Sequence, residues 1–82
     1  MIRIVKAGSA KTNNHRGKVT FTPSLKGMPS KYAVLVTAAS ALLAPSGAHV
    51  IGYDLDAKNN LKAFEVYTDE VISDFSWIVV QL

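Results

Sequence analysis

The chain has 82 residues, of which 49 % are hydrophobic and 18 % are charged. This balance is opposite to that of disordered chains, and the length suits one small domain, so we expect a single folded domain over residues 1–82. The absence of cysteine and the presence of two histidines argue against disulfides and the usual zinc sites. A core this small is marginal on its own, which leaves association between subunits as the available support.

No membrane-spanning segment is expected. The longest mostly apolar stretch, residues 32–45, is about 14 residues long, whereas a membrane helix needs roughly 18 or more. The first residues also lack the basic region and the apolar run of a signal peptide. The expected location is therefore the cytoplasm, unless the protein belongs to a virion.

Charge is distributed unevenly along the chain. Residues 1–53 carry seven basic side chains and no carboxylate, whereas residues 54–82 carry six carboxylates and two lysines. The preferred interpretation is that oppositely charged strands pair within the fold. The alternative is a subunit interface in which the basic surface of one copy meets the acidic surface of another.

Strand patterns follow one another along the sequence. Residues 2–4, 19–22 and 61–66 alternate between apolar and polar side chains, which predicts half-buried antiparallel strands. Residues 32–36 and 75–80 are apolar or small at nearly every position. Strands of that kind are covered on both sides, so we expect one of their faces to lie against a second subunit.

Polar and turn-forming residues separate these strands. We expect a polar, basic loop at residues 8–17 and turns at residues 23–30, 45–47 and 58–60, with His49 at the start of a strand. Residues 37–44 fit a helical turn as well as a loop. The fold class is therefore all-β, a small antiparallel β-sandwich or barrel of about six strands that forms an oligomer.

These patterns assign roles to three sets of residues. Most of the core is expected from Val19, Phe21, Val34, Val36, Phe64, Val66 and Trp77. The oligomer interface is expected to include Tyr32, Leu35, Ile78 and Val80. Contacts with a neighbouring subunit or another structural protein are expected from Lys11, Arg16 and Lys18.

The sequence shows no arrangement typical of an enzyme. Asp54, Asp56 and Glu65 fall at positions 1, 3 and 12 of an EF-hand count, but Asn59 stands where that loop needs glycine, which argues against calcium. His15 and His49 have no carboxylate or cysteine at a spacing typical of metal ligands or activated nucleophiles. We therefore predict a non-enzymatic protein without a metal or another cofactor.

Binding of single-stranded nucleic acid, as in an OB-fold, is a further alternative. The basic loop could contact phosphates, and Phe21, Tyr32 and Tyr53 could offer stacking surfaces. The acidic second half of the chain would repel phosphates, which disfavours nucleic acid as a partner.

From Lys18 onward, the order of these patterns resembles the small β-sandwich at the receptor-facing ends of bacteriophage tail fibres and, more distantly, in H-type lectins. The resemblance covers about four-fifths of the chain, and four segments carry it: residues 19–21, 29–37, 61–66 and 75–79. Two features depart from the family: residues 80–82 replace the small residue and glycine that usually follow the tryptophan strand, and there is no fibre shaft.

The resemblance implies an oligomer, with a trimer favoured, that recognises protein or sugar between its subunits. It therefore favours a virion structural or accessory protein, such as a capsid decoration, cement, or fibre or knob component, with other virion proteins as partners. A lectin-like module that binds surface carbohydrate is the alternative. No sugar-binding residue can be transferred, and Trp77, inside an apolar run, is expected to pack in the core or an interface.

Overall fold

The computed structural model describes residues 2–40 and 45–82 and is all-β. It contains six strands of eight to ten residues, a two-residue strand and one short 3₁₀ turn at Pro29–Lys31. The strands are β1 (Arg3–Lys11), β2 (Arg16–Leu25), β3 (Tyr32–Ser40), β4 (Pro45–Ser46), β5 (Ala48–Leu55), β6 (Leu61–Thr68) and β7 (Ser73–Gln81). Six long strands agree with the predicted number.

The strands form two antiparallel sheets that pack as a sandwich. Sheet A has the order β1-β7-β3-β4, and sheet B has the order β2-β6-β5. The connections at residues 12–15 and 69–72 lie at one end of the strands, which we call the upper end. The connections at residues 26–31 and 56–60 lie at the opposite, lower end. Although β1 and β2 are neighbours in the chain, they belong to different sheets.

The core lies between the inner faces of the two sheets. Its buried residues include Phe64, Val66, Leu61 and Val79, each with no exposed surface. The ring centroid of Trp77 lies 5.8 Å from that of Phe21 and 5.7 Å from that of Phe64, with edge-to-face geometry. All seven predicted core residues lie in this cluster or pack against it. The cluster also includes five residues outside the predicted core: Leu25, Tyr32, Leu61, Phe75 and Val79.

The predicted loop at residues 8–17 is wrong. β1 extends to Lys11 and β2 begins at Arg16, which leaves a connection of four residues, Thr12–His15. Small and polar residues enter β1 because every position from Ala7 to Lys11 pairs with a residue of β7. Pairing with a distant strand therefore outweighs weak local strand propensity.

Two other boundaries differ from the prediction. β2 extends to Leu25, although its pairing with β6 is interrupted between Thr20 and Leu25. Pro23 falls in that interruption, and proline cannot donate a ladder hydrogen bond. Residues 37–40 continue β3 as a strand, whereas the rest of the ambiguous segment, residues 41–44, lies outside the described residues.

Buried hydroxyl groups connect β1 to β7 at the upper end. Thr12, Thr68 and Ser73 are each at most 3 % exposed. The Thr12 hydroxyl donates to the Ser73 carbonyl at 3.2 Å and accepts from the Ser73 amide at 2.9 Å. The Thr68 hydroxyl donates to the Glu70 carbonyl at 2.8 Å. These bonds satisfy polar groups that would otherwise be costly to bury.

Candidate functional site

The outer face of sheet A carries an apolar surface that the strand pairing creates. Residues directly opposite each other in antiparallel strands point to the same side. The register therefore aligns two rows across β1, β7 and β3, namely Ile4–Val80–Ala33 and Ala7–Ile78–Leu35. Ile4 is 62 % exposed and Leu35 is 57 % exposed. We call these two rows the apolar face.

The next two rows on the same side are polar. Ser9, Ser76 and Thr37 form a row of hydroxyl groups. Above it, Lys11 Nζ lies 3.8 Å from Asp74 Oδ1, with both side chains well exposed. A shallow depression of about 150 Å³ crosses the border between the apolar and polar halves and is lined by Leu35, Thr37, Ser76, Trp77 and Ile78. The surface thus offers an apolar area with a hydrogen-bonding margin.

Three of the four residues predicted for an interface lie together on this face. Leu35 is opposite Ile78, and Val80 is in the adjacent row. The prediction for Tyr32 needs correction, because Tyr32 is a core residue and only 8 % exposed. Its hydroxyl donates to the Lys26 carbonyl. Tyr32 has the opposite parity to Leu35 along β3, so its side chain points to the inner face.

The three predicted partner-contact residues do not form one surface. Lys11 lies on the outer face of sheet A, whereas Arg16 and Lys18 begin β2 in sheet B. The Nζ atom of Lys18 lies 2.6 Å from Oδ2 of Asp54 across sheet B. The hydrogen bond between them raises the pKa of Lys18 and lowers the pKa of Asp54 relative to their ordinary values. The Lys18–Asp54 and Lys11–Asp74 pairs both join the basic part of the chain to its acidic part within a single chain, in agreement with the preferred interpretation of the charge pattern.

The outer face of sheet B carries an aromatic row that the sequence pattern does not indicate. Tyr67 lies between Arg16 of β2 and His49 of β5 in the strand register. The His15 ring stacks on the Tyr67 ring at 5.3 Å and 10°, and the His49 ring lies 5.5 Å from it at 37°. His15 Nδ1 also lies 2.9 Å from the Thr68 carbonyl oxygen. Only the register brings these rings together, since they are far apart in the sequence.

The acidic turn between β5 and β6 is organised by its own carboxylate. Oδ1 of Asp56 accepts hydrogen bonds from the amides of Lys58 at 2.8 Å and Asn60 at 2.9 Å. The bond from the Asn60 amide is the main reason why the pKa of Asp56 is below its ordinary value. Within residues 2–40 and 45–82, no three or more histidine or acidic side chains form a group that could hold a metal ion.

The aromatic residues considered for nucleic-acid stacking are mostly in the core. Phe21 is 4 % exposed and Tyr32 is 8 % exposed, whereas Tyr53 is 45 % exposed. Two of the three aromatic rings are therefore buried and offer no stacking surface. The separation of Lys11 from Lys18 also divides the basic groove that this alternative requires.

Comparisons with protein families, curated proteins and solved structures found no match. In the part of the chain that the structure describes, no helix is long and apolar enough to cross a membrane.

Proposed function

We propose that this protein is a non-enzymatic structural protein that assembles through the apolar face, which a neighbouring copy of the chain covers. The observation that carries this proposal is the alignment of Ile4, Val80 and Ala33 beside Ala7, Ile78 and Leu35. Soluble monomers seldom expose a continuous apolar surface of this kind. Covering it removes apolar area from water, which is the main driving force of subunit association.

The dimensions of the molecule suit such an interface. Its longest extents are 39 Å and 27 Å, so a sheet face can supply the roughly 800 Å² per partner that a stable interface buries. The hydroxyl row and the Lys11–Asp74 pair then form a polar margin, as is typical of protein interfaces. The resemblance of the sequence to fibre-tip sandwiches supports placing this assembly in a virion, as a decoration, cement or knob component.

The test is a measurement of molar mass by light scattering on the wild type and on Leu35→Glu. We expect the 8.8 kDa chain to form an oligomer at micromolar concentration and Leu35→Glu to shift it to the monomer. Thr22→Glu introduces the same charge at an exposed position in sheet B and should leave the oligomer unchanged. A monomeric wild type, or a fully assembled Leu35→Glu variant, contradicts the proposal. Detection of the protein in purified particles tests the virion setting.

A carbohydrate-binding module is the second candidate, and the aromatic row on sheet B favours it. Tyr67, His15 and His49 provide ring surface, and Arg16 and Glu65 on the same face provide hydrogen-bonding groups beside it. Sugar titrations followed by NMR test this role. Tyr67→Ala should abolish any shifts, whereas Tyr53→Ala, which removes a tyrosine outside the row, should retain them.

A further inference from the structure

The lower end of the sandwich concentrates unpaired positive charge. Five exposed basic side chains lie at or next to this end: Arg3, Lys26, Lys31, Lys58 and Lys62. The ion pairs found among residues 2–40 and 45–82 are Lys11–Asp74 and Lys18–Asp54, so none of the five takes part in one. Asp56, in the turn at this end, accepts hydrogen bonds from the backbone amides of Lys58 and Asn60.

Apolar side chains are exposed among these cations. Met28 is 50 % exposed and Leu82 is 66 % exposed. Both positions are fixed by backbone hydrogen bonds, from the Lys31 amide to the Met28 carbonyl and from the Leu82 amide to the Lys31 carbonyl, each at 3.0 Å. The lower end therefore presents ordered apolar side chains surrounded by positive charge.

The upper end carries negative charge next to exposed apolar side chains, in the connection between β6 and β7. Asp69 and Glu70 are exposed there, followed by Val71 at 53 % and Ile72 at 62 % exposure. The Asp69 amide donates to the Gly47 carbonyl at 3.0 Å, and the His15 amide donates to the Val71 carbonyl at 2.9 Å. The segment is thus held in place, which lowers the entropy lost when a partner binds.

The basic side chains near the upper end do not neutralise Asp69 and Glu70. Lys11 is engaged with Asp74 on the outer face of sheet A. Arg16 lies beside Tyr67 on the outer face of sheet B. Of the two histidines near this end, His15 stacks on Tyr67 and His49 also contacts Tyr67. Asp69 and Glu70 therefore remain available to a partner approaching along the strand direction.

We propose that the lower end of one copy docks onto the upper end of the next, so that Val71 and Ile72 pack against Met28 and Leu82 while Asp69 and Glu70 face Lys26 and Lys31. Since the two surfaces differ, the contact is heterologous, and its repetition produces a row of subunits rather than a closed dimer. This contact is separate from the apolar face of sheet A.

The end-to-end contact is small and depends on charge. A cross-section of about 27 by 18 Å offers roughly 500 Å² on each partner, below the roughly 800 Å² of a standard interface. The contact therefore forms at high concentration or within an assembly, where other contacts raise the local concentration. Salt weakens it, because exposed charges are screened over about 10 Å at 0.1 M.

Zero-length carbodiimide cross-linking of a mixture of ¹⁴N- and ¹⁵N-labelled protein at low ionic strength tests the contact. We expect cross-linked peptides of mixed isotope content that join Lys26 or Lys31 to Asp69 or Glu70. The Lys18–Asp54 pair, at 2.6 Å, is the positive control and should give cross-links of one isotope only. Absence of the mixed-isotope end-to-end products overturns the proposal.

Charge reversal provides the decisive second measurement. Lys31→Glu and Glu70→Lys should each lose the end-to-end association seen by sedimentation, and a 1:1 mixture of the two variants should recover it. Lys6→Glu makes the same charge change on β1 away from both ends and should behave like the wild type. A mixture that fails to recover the association overturns the proposal. Leu35→Glu should keep the end-to-end cross-links, so a failure of this contact is distinguishable from a failure of the apolar face.

Discussion

Gly8 of β1 lies against the indole ring of Trp77 on the neighbouring strand β7. The two residues are directly opposite in the register, and the Trp77 side chain packs against the core. A Cβ atom added at Gly8 would lie 2.9 Å from Cζ2 of the indole. The ring has little room to retreat because it packs edge-to-face on Phe21 and Phe64. The absence of a side chain at residue 8 thus allows β1 to cover the tryptophan.

Gly8→Ala should therefore destabilise the protein, by about 1–3 kcal/mol, which is the usual cost of overpacking a core. Gly52→Ala is the matched control, since a Cβ at Gly52 meets no atom within 4 Å. The free energies of unfolding in urea provide the comparison. Equal stability of the two variants would contradict the packing described for Trp77.

Phe64→Ala should cost about 3–5 kcal/mol, because its ring is fully buried and its removal leaves a cavity between Phe21 and Trp77. A loss of this size is enough to unfold a marginal domain. Tyr53, the residue opposite Phe64 on β5, is 45 % exposed, so Tyr53→Ala should cost much less. Thermal unfolding followed by circular dichroism measures both, and a stable Phe64→Ala variant would argue against the assigned core.

The carboxylate of Asp56 should contribute to the pH dependence of stability. Its pKa in the folded protein is below the ordinary value of about 3.9. The contribution is therefore present above that ordinary value and is lost as the pH falls through the lower folded pKa. Asp56→Asn keeps an acceptor oxygen but cannot ionise, so its urea midpoint should decline less than that of the wild type between pH 5 and pH 2. Parallel declines would contradict this role.

Reversing the charges of the Lys18–Asp54 pair should reveal how much the electrostatic attraction between the two side chains contributes to stability. Lys18→Glu places a carboxylate beside Asp54 and opposite Glu65, and should lower stability. Lys18→Glu combined with Asp54→Lys should recover part of the loss, because the pair is restored with opposite polarity. A double-mutant cycle at low and high salt measures the coupling, which should shrink as salt increases. A coupling of zero at low salt would mean that the pair contributes nothing to stability.

Local pattern predicted several elements because their side chains themselves decide the outcome. The alternation in residues 19–22 and 61–66 directs Val19, Phe21, Phe64 and Val66 to one side, and the structure buries all four. The polar residues after Leu55 form the expected turn. The small and polar side chains of residues 8–11 carry no strand signal and favour a loop, whereas pairing with β7 decides their structure.

The sequence by itself determined the all-β class, most of the large core residues and the division into a basic and an acidic part. The tertiary structure decided where those charges lie, since Lys11 pairs with Asp74 and Lys18 pairs with Asp54 only through strand register. Register also brought Tyr67 between His15 and His49, and directed Tyr32 into the core while leaving Leu35 exposed. These relationships join residues distant in the chain, and local side-chain periodicity does not specify which strands become neighbours or which residues stand opposite each other.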